Sequence, residues 1–294
     1  MTPPSGPLPA PERSPVDNAQ LALLLEVAGT PKPGNVDRAR DLDDLRFEHF
    51  LTGAVGARDG LERAASGARV GHAFERAVAG MGQQGGGNTQ FGCLLLLAPL
   101  VRTVATESTL SPSTVDRVVQ STTVDDAVDF YRAFEHVDVA VGDPPSDAPA
   151  LDVRRGADAE PALRDRELSL YDVMTLSAEP DEGVSDANAT EWVGEFSRSF
   201  AAAEDILADA GAAPDRVARA FLRLLAEAPD TLVATHHDAD VAHDVMHRAD
   251  AVGDDLGAAE ELAEEFREEE INPGTTADLT CAATFIALER GLEL

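Results

Sequence analysis

Positive charge is what this chain lacks. It has 294 residues and one lysine, Lys32; the remaining 22 of its 23 basic residues are arginines, set against 54 acidic residues, for a formal net charge of −31. Such a chain has no basic patch with which to displace counterions from nucleic acid, and none to dock on an anionic membrane surface. Cysteine is also scarce. Cys93 and Cys281 cannot build a disulfide framework or a zinc cage, and their apolar neighbours mark them as small core residues. No apolar run approaches the roughly 20 residues of a membrane span, and no basic-then-apolar signal pattern opens the chain. A soluble, cytoplasmic protein is expected. Sustained strand-type alternation and internal repeats are missing too, which turns attention to helices.

The acid is spread along the chain and forms no single tail. So large an excess repels itself in the compact state, and molar salt, with a Debye length of roughly 3 Å, screens most of that repulsion. Abundant Asp, Glu, Ala, Val and Arg with almost no Lys fit a salt-rich, archaeal-type cytoplasm. At 44% hydrophobic the chain can build a real core.

Helical periodicity predicts an all-α fold of about ten helices in one bundle-like domain over 18–294. A proline-rich, disordered leader is expected over 1–17. Leu21, Leu24, Leu25 and Ala28 form a first apolar stripe. Gly92–Val104 reads as a helix buried on all sides. Gly142–Asp165, with Pro144, Pro145, Pro149 and Pro161, reads as an acidic loop. Trp192–Ala210, Ala213–Glu227, Asp238–Val252 and Thr276–Leu292 read as later helices. Leu94, Leu95, Leu97, Val101, Phe221, Leu224, Leu225, Leu279, Phe285 and Ile286 should be core. A homodimer would be called for if they were left exposed.

Three glycine-containing turns open helices: Pro33-Gly34-Asn35-Val36-Asp37, Gly82 to Gly92 with Gly87-Asn88-Thr89, and Asn272-Pro273-Gly274. Bare backbone amides at a helix start favour anions, and glycine lets a phosphate come close. Lys32 lies in the first of these segments, in a stiff Pro-Lys-Pro-Gly turn, and a compact ammonium suits phosphate oxygens. Together they suggest a polyphosphate cradle, the bland alternative being tight helical hairpins. Against a charge of −31, an anionic nucleotide would need those local donors and Mg²⁺, which is usually held by one or two carboxylates plus phosphate oxygens. Asp37, Glu26, Asp230 and Asp278 lie in or beside the turns and are the candidate acids.

These residues resemble the ATP:dephospho-CoA triphosphoribosyl transferases, also called triphosphoribosyl-dephospho-CoA synthases. The resemblance rests on Leu24-Leu25-Glu26-Val27 through Thr30-Pro31-Lys32-Pro33-Gly34-Asn35-Val36-Asp37-Arg38, on Gly87-Asn88-Thr89 with Gly92, and on Leu170-Tyr171-Asp172-Val173-Met174. Pro229-Asp230-Thr231-Leu232 and Asn272-Pro273-Gly274 with Ala277-Asp278-Leu279 complete it, in the family's order. Two stretches depart from the bacterial pattern: Arg40 to Phe50, which looks archaeal, and Thr235-His236-His237, where the family tends to carry a basic pair.

The resemblance implies an all-α enzyme taking ATP and dephospho-CoA. The 2′-hydroxyl of dephospho-CoA attacks C1′ of the ATP ribose and expels adenine. By the same resemblance, Lys32, Gly34, Gly87, Asn88, Thr89 and Gly274 would hold phosphate, Asp37 and Asp278 would bind Mg²⁺, and Glu26 or Asp230 would act as base or cation stabiliser. Lys32→Ala is expected to weaken nucleotide binding without unfolding the chain.

His236, His237, His243 and His247 place four of the seven histidines within twelve residues. His243 and His247 share a helix face and could bind metal with Asp240 or Asp244. His237-Asp238 also matches the dipeptide of HD-type metal phosphohydrolases, an alternative all-α class. A related ribosyl transferase with another acceptor is the other alternative.

Overall fold

The first helix starts three residues earlier than periodicity suggests, because Ser14 caps it. The Ser14 hydroxyl accepts the Asp17 N–H while the Asp17 carboxylate accepts the Ser14 N–H, a capping box with Pro15 at the first position. The helix, α1, therefore runs Pro15–Ala28 and takes in the last three residues of the expected leader. A computed structural model describes residues 13–142, 144, 148–179 and 185–294; residues 1–12 of the expected leader lie outside them.

After α1 come α2 (Phe47–Gly56), α3 (Arg58–Ala65), α4 (Val70–Met81), α5 (Phe91–Thr106), α6 (Pro112–Gln120), α7 (Val124–Ala133) and α8 (Glu160–Asp165). The second half holds α9 (Leu170–Ala178), α10 (Ala187–Val193), α11 (Ser197–Ala208), α12 (Ala213–Glu227), α13 (Thr231–His236), α14 (Ala239–Val252), α15 (Leu256–Glu268) and α16 (Gly274–Glu289). Among the described residues the fold is all-α, with no strand and no helix long and apolar enough to cross a membrane.

The described residues hold sixteen α-helices in place of the expected ten, for identifiable reasons. The helices α8, α10 and α13 have only six or seven residues, too short for a 3.6-residue period to show. The expected loop at 142–165 contains α8 and the 3-10 turns Pro149–Leu151 and Val153–Ala159. The expected helix over Trp192–Ala210 is broken in two: Glu195 and Phe196 take positive φ, and α11 starts afresh at Ser197. The buried Glu191 carboxylate accepts the Arg198 and Ser199 N–H groups at 3.2 and 3.0 Å, standing in for the cap that α11 lacks.

Two helices form the centre. In α16 every residue from Thr275 to Leu288 except Asp278 is buried, and α5 is buried from Cys93 to Val101. Thr280 and Thr284 enter this core because each hydroxyl donates to the carbonyl four residues back, at 2.8 Å. All ten expected core residues are buried within the single chain, so the condition that called for a dimer is not met. The face of α1 differs from expectation. Ala19, Ala22, Leu23, Glu26 and Val27 are covered, whereas Leu21, Leu24 and Leu25 are only half-buried. Small alanines let α1 approach α16 closely, and the stripe carries Glu26 inward with them.

Within α5, Pro99 has no N–H to return to the Leu95 carbonyl. The buried indole of Trp192 supplies the donor at 3.2 Å, pinning α10 to α5. Trp192→Phe should lower unfolding free energy by about 1–3 kcal/mol for the orphaned carbonyl, beyond its lost volume. In a Pro99→Ala background, where the substitution restores the N–H, that part should vanish. Denaturant unfolding of wild type, the two single variants and the double variant measures the coupling, and simple additivity would contradict this role.

Candidate active site

A loop usually lies on the surface because its backbone needs water. Here Pro31 through Asp37 are all buried. Asp37 makes this possible by acting as an internal acceptor: it takes the Thr30 hydroxyl at 2.7 Å and the N–H groups of Lys32, Ala39 and Arg40 at 3.1, 2.8 and 2.9 Å. The Arg40 guanidinium adds a fifth bond at 3.2 Å and reaches on to Glu260 and Glu264, clasping the turn to α15. Gly34 has φ +75 and packs on the Ile271 carbonyl, where any Cβ would collide. Asn35 donates to the Asn272 side chain at 2.9 Å. The first and third glycine turns, more than two hundred residues apart in sequence, thus form one unit.

Lys32 is fully buried inside this unit. Its ammonium is bonded to Glu26 on α1 and donates also to the Asn35 side-chain oxygen at 2.8 Å. It stands 5.8 Å above the Phe221 ring of α12, whose face favours a cation. Burial nevertheless dominates at Glu26 and pushes its carboxyl above the usual carboxylate range, against the pull of Lys32.

Several helix starts meet beside this pair. The Asp230 carboxylate caps α13 through the Leu232 and Val233 N–H groups at 2.9 and 3.1 Å, and takes the Thr276 N–H and hydroxyl of α16, both at 2.7 Å. Asp278 projects from the first turns of α16 against bare Gly92 at the start of α5, where a Cβ would collide with its carboxylate. Asn188 of α10 and Cys93 of α5 donate to it at 2.9 and 3.2 Å. Asp278 keeps a margin of exposure, yet desolvation lifts its carboxyl to about 7, with Glu26 and Asp230 adding repulsion. Next to Gly92, Thr89 and Gln90 carry buried oxygens with no hydrogen-bond partner, as does Asn188.

The structure thus gathers Glu26, Lys32, Gly34, Asp230, Gly274 and Asp278, with Thr89 close by. Gly87 has φ +69 in open space, and Asn88 caps α5 by accepting the Phe91 N–H at 3.1 Å. Gly274 packs on Leu232. Of the two carboxylates expected to bind Mg²⁺, Asp37 is saturated by five donors and fits that task poorly, while Asp278 accepts from Asn188 and Cys93. Among the described residues no three His, Cys, Asp or Glu side chains are grouped to hold a metal.

The histidine cluster is on the surface. His236, His237, His243 and His247 are exposed. His237 faces the Glu270 carbonyl at 3.3 Å, while Asp238 caps α14 through the Val241 N–H, so this dipeptide is a helix start. His243 lines a surface cleft of about 340 Å³ with Thr190 and Arg198, on the outer side of α10. Asn188 and Gln90 escaped the sequence reading. Gln90 sits inside the second glycine turn and could have been singled out there, whereas Asn188, in a seven-residue helix, gives no local signal.

Compared with protein families, residues 12–293 match the model of the ATP:dephospho-CoA triphosphoribosyl transferases (CitG). Among solved structures, the chain resembles a protein from Archaeoglobus fulgidus provisionally assigned as triphosphoribosyl-dephospho-CoA synthase. The TM-score is 0.67 over 83% of this chain and 100% of that one, at 24% identity, a likeness of fold. No curated protein matches significantly.

Two outcomes follow for stability. Lys32→Ala leaves Glu26 buried without its cation and should cost about 3–5 kcal/mol, whereas Lys32→Met with Glu26→Gln should recover most of it. Chemical unfolding in molar KCl compares them; equal losses in both would contradict a buried ionic pair. The second concerns Asp278. Its folded-state pKa of about 7 exceeds the ordinary 3.8, so the folded protein keeps a proton that the unfolded chain releases. Its contribution is full below the ordinary value of 3.8 and is lost as pH rises to about 7. Relative to Asp278→Asn, wild-type stability should fall by on the order of 2–4 kcal/mol across that window. A pH-independent difference would contradict it.

Proposed function

This chain belongs to the ATP:dephospho-CoA triphosphoribosyl transferase family, and from that premise we propose that Lys32 and Glu26 are the working pair of its active site. The enzyme moves the 5-triphosphoribosyl group of ATP to the 2′-hydroxyl of 3′-dephospho-CoA. A bond forms between that oxygen and C1′ of the ATP ribose, the C1′–N9 bond breaks, and adenine leaves. The chemistry needs a grip on the triphosphate, an acceptor for the hydroxyl proton, and negative charge near an oxocarbenium-like ribose.

The single observation behind the assignment is the buried Lys32–Glu26 pair beneath converging helix starts. A triphosphate reaching Lys32 takes the place of Glu26 as its partner. Glu26, released from its cation in an apolar surround, becomes a stronger base for the incoming 2′-hydroxyl. Asp278, whose carboxyl is lifted toward neutrality, stands where it can give a proton to the departing adenine. The proton lost by the hydroxyl and the one gained by adenine then balance between two carboxyls. Asp230 ties α13 to α16, and Asp37 holds the Lys32 turn; both act by positioning.

The acidic, lysine-poor composition supports a salt-rich archaeal cytoplasm as the setting. In about molar KCl, a strongly screened regime, wild-type protein with Mg²⁺, ATP and dephospho-CoA should release free adenine, seen by mass spectrometry, only when dephospho-CoA is present. Glu26→Gln should lower kcat by about a hundredfold or more while ATP still binds. Adenine release that ignores Glu26→Gln would remove its role, and none from folded, ATP-binding wild type would overturn the assigned reaction.

A further inference from the structure

Three buried oxygens beside the site have no partner: Thr89 Oγ1, Gln90 Oε1 and Asn188 Oδ1. Leaving such a group unpaired is costly, so native proteins keep few of them, and each calls for an explanation. Two belong to side chains that are more than nine-tenths buried, Gln90 with 1% of its surface exposed and Asn188 with 8%. Both are held at their other end. The Gln90 amide donates to the Leu23 carbonyl at 3.3 Å, and the Asn188 amide donates to Asp278 at 2.9 Å. With the NH₂ groups committed, each side chain is left with a free carbonyl oxygen, and a carbonyl only accepts. The surroundings are pared back on both sides. A Cβ at Gly53 would lie 2.8 Å from Thr89 Oγ1 and 3.1 Å from Gln90 Oε1, and one at Gly92 would strike Asp278 and come within 2.6 Å of the Asn188 amide.

The chemistry of ATP narrows the ligand. Its triphosphate carries acceptor oxygens and negative charge, which two carbonyl acceptors repel. Its donors are the 6-amino group of adenine and the ribose hydroxyls, all on the nucleoside half. We propose that Gln90 and Asn188 are specificity-determining residues that accept hydrogen bonds from these nucleoside N–H or O–H groups. The inference rests on the transferase reading above and divides the site in two: Lys32 faces the anion, and the two amide carbonyls face the nucleoside. Asn188 also holds Asp278, which links recognition of the nucleoside to the carboxyl placed beside the departing base.

Calorimetric titration in about molar KCl tests this, with ATP and inorganic tripolyphosphate as probes of wild type, Gln90→Met and Asn188→Leu. Each variant should bind ATP about tenfold more weakly, the equivalent of one lost hydrogen bond, while tripolyphosphate affinity stays within about twofold. Gln90→Met should unfold no earlier than wild type, since it removes an unsatisfied oxygen. Unchanged ATP affinity, or equal losses for both probes, would overturn the proposal. Wild type read with analogues is independent of any folding effect. Weakened binding of ITP assigns the adenine amine, weakened binding of 2′- or 3′-deoxy-ATP assigns a ribose hydroxyl, and full affinity for all three overturns it. Wild type that binds neither ATP nor tripolyphosphate would instead remove the transferase reading itself.

Discussion

A buried ammonium must have a partner, and the rest of this structure is arranged around supplying one. Taking Lys32 and Glu26 out of water costs several kcal/mol per ion, recovered only if geometry is good and the remaining donors are satisfied. Asn35 takes one of those donors and the Phe221 face offers a second favourable contact. Holding Asn35 in place requires Asn272, and holding the turn in place requires Asp37, which fills both of its oxygens to do so. The pair thus fixes the turn after α1, the turn before α16 and the approach of α12. A mutual hold of this kind is stable at rest and sensitive to a better anion. That combination suits a site in which the substrate is itself a polyanion.

The same local argument resolves the conflict between a charge of −31 and an anionic substrate. Surface charges act through water and salt, where a Debye length of about 3 Å at molar ionic strength confines them. Lys32, fully buried, acts in a medium that screens far less. Exposed pairs such as Arg58–Glu62 and Arg63–Asp59 contribute little to stability, and the field they make does not reach the site. An enzyme of this composition can therefore carry an acidic coat while keeping one cation where it has the greatest effect.

How much of this was legible in the sequence depends on the range of the cause. The all-α class, the core of α5 and α16 and the meeting of glycine turns follow from periodicity and from rare residues in special turns, both local signals. Lys32 stood out because nothing else in the chain is lysine. The depth of its burial did not, since a loop gives no sign that Asp37 will satisfy its backbone. Glu26 was visible as an acid near the turn, but its place on the inner face of α1 was hidden, because alanines define that face and leucines drew attention to the other. Asp37 looked like a metal ligand for the same reason it works as an internal acceptor: a carboxylate serves either use, and only the five donors around it decide. Asn188 acts through its contact with Asp278, a residue 90 positions away, and could not be seen at all. Of the six- and seven-residue helices, α10 and α13 are held by capping carboxylates and α8, which has none, by tertiary packing; no period marks any of them, so their existence had no periodic sequence signature.

On this reading the buried lysine exchanges Glu26 for the triphosphate of ATP. A crystal structure of the wild-type protein with ATP, grown at high salt without dephospho-CoA so that the nucleotide stays intact, would show this exchange. Lys32 Nζ should lie within hydrogen-bond distance of a phosphate oxygen, with Glu26 turned away from it toward the ribose. A nucleotide bound elsewhere, with the Lys32–Glu26 pair still closed, would contradict it.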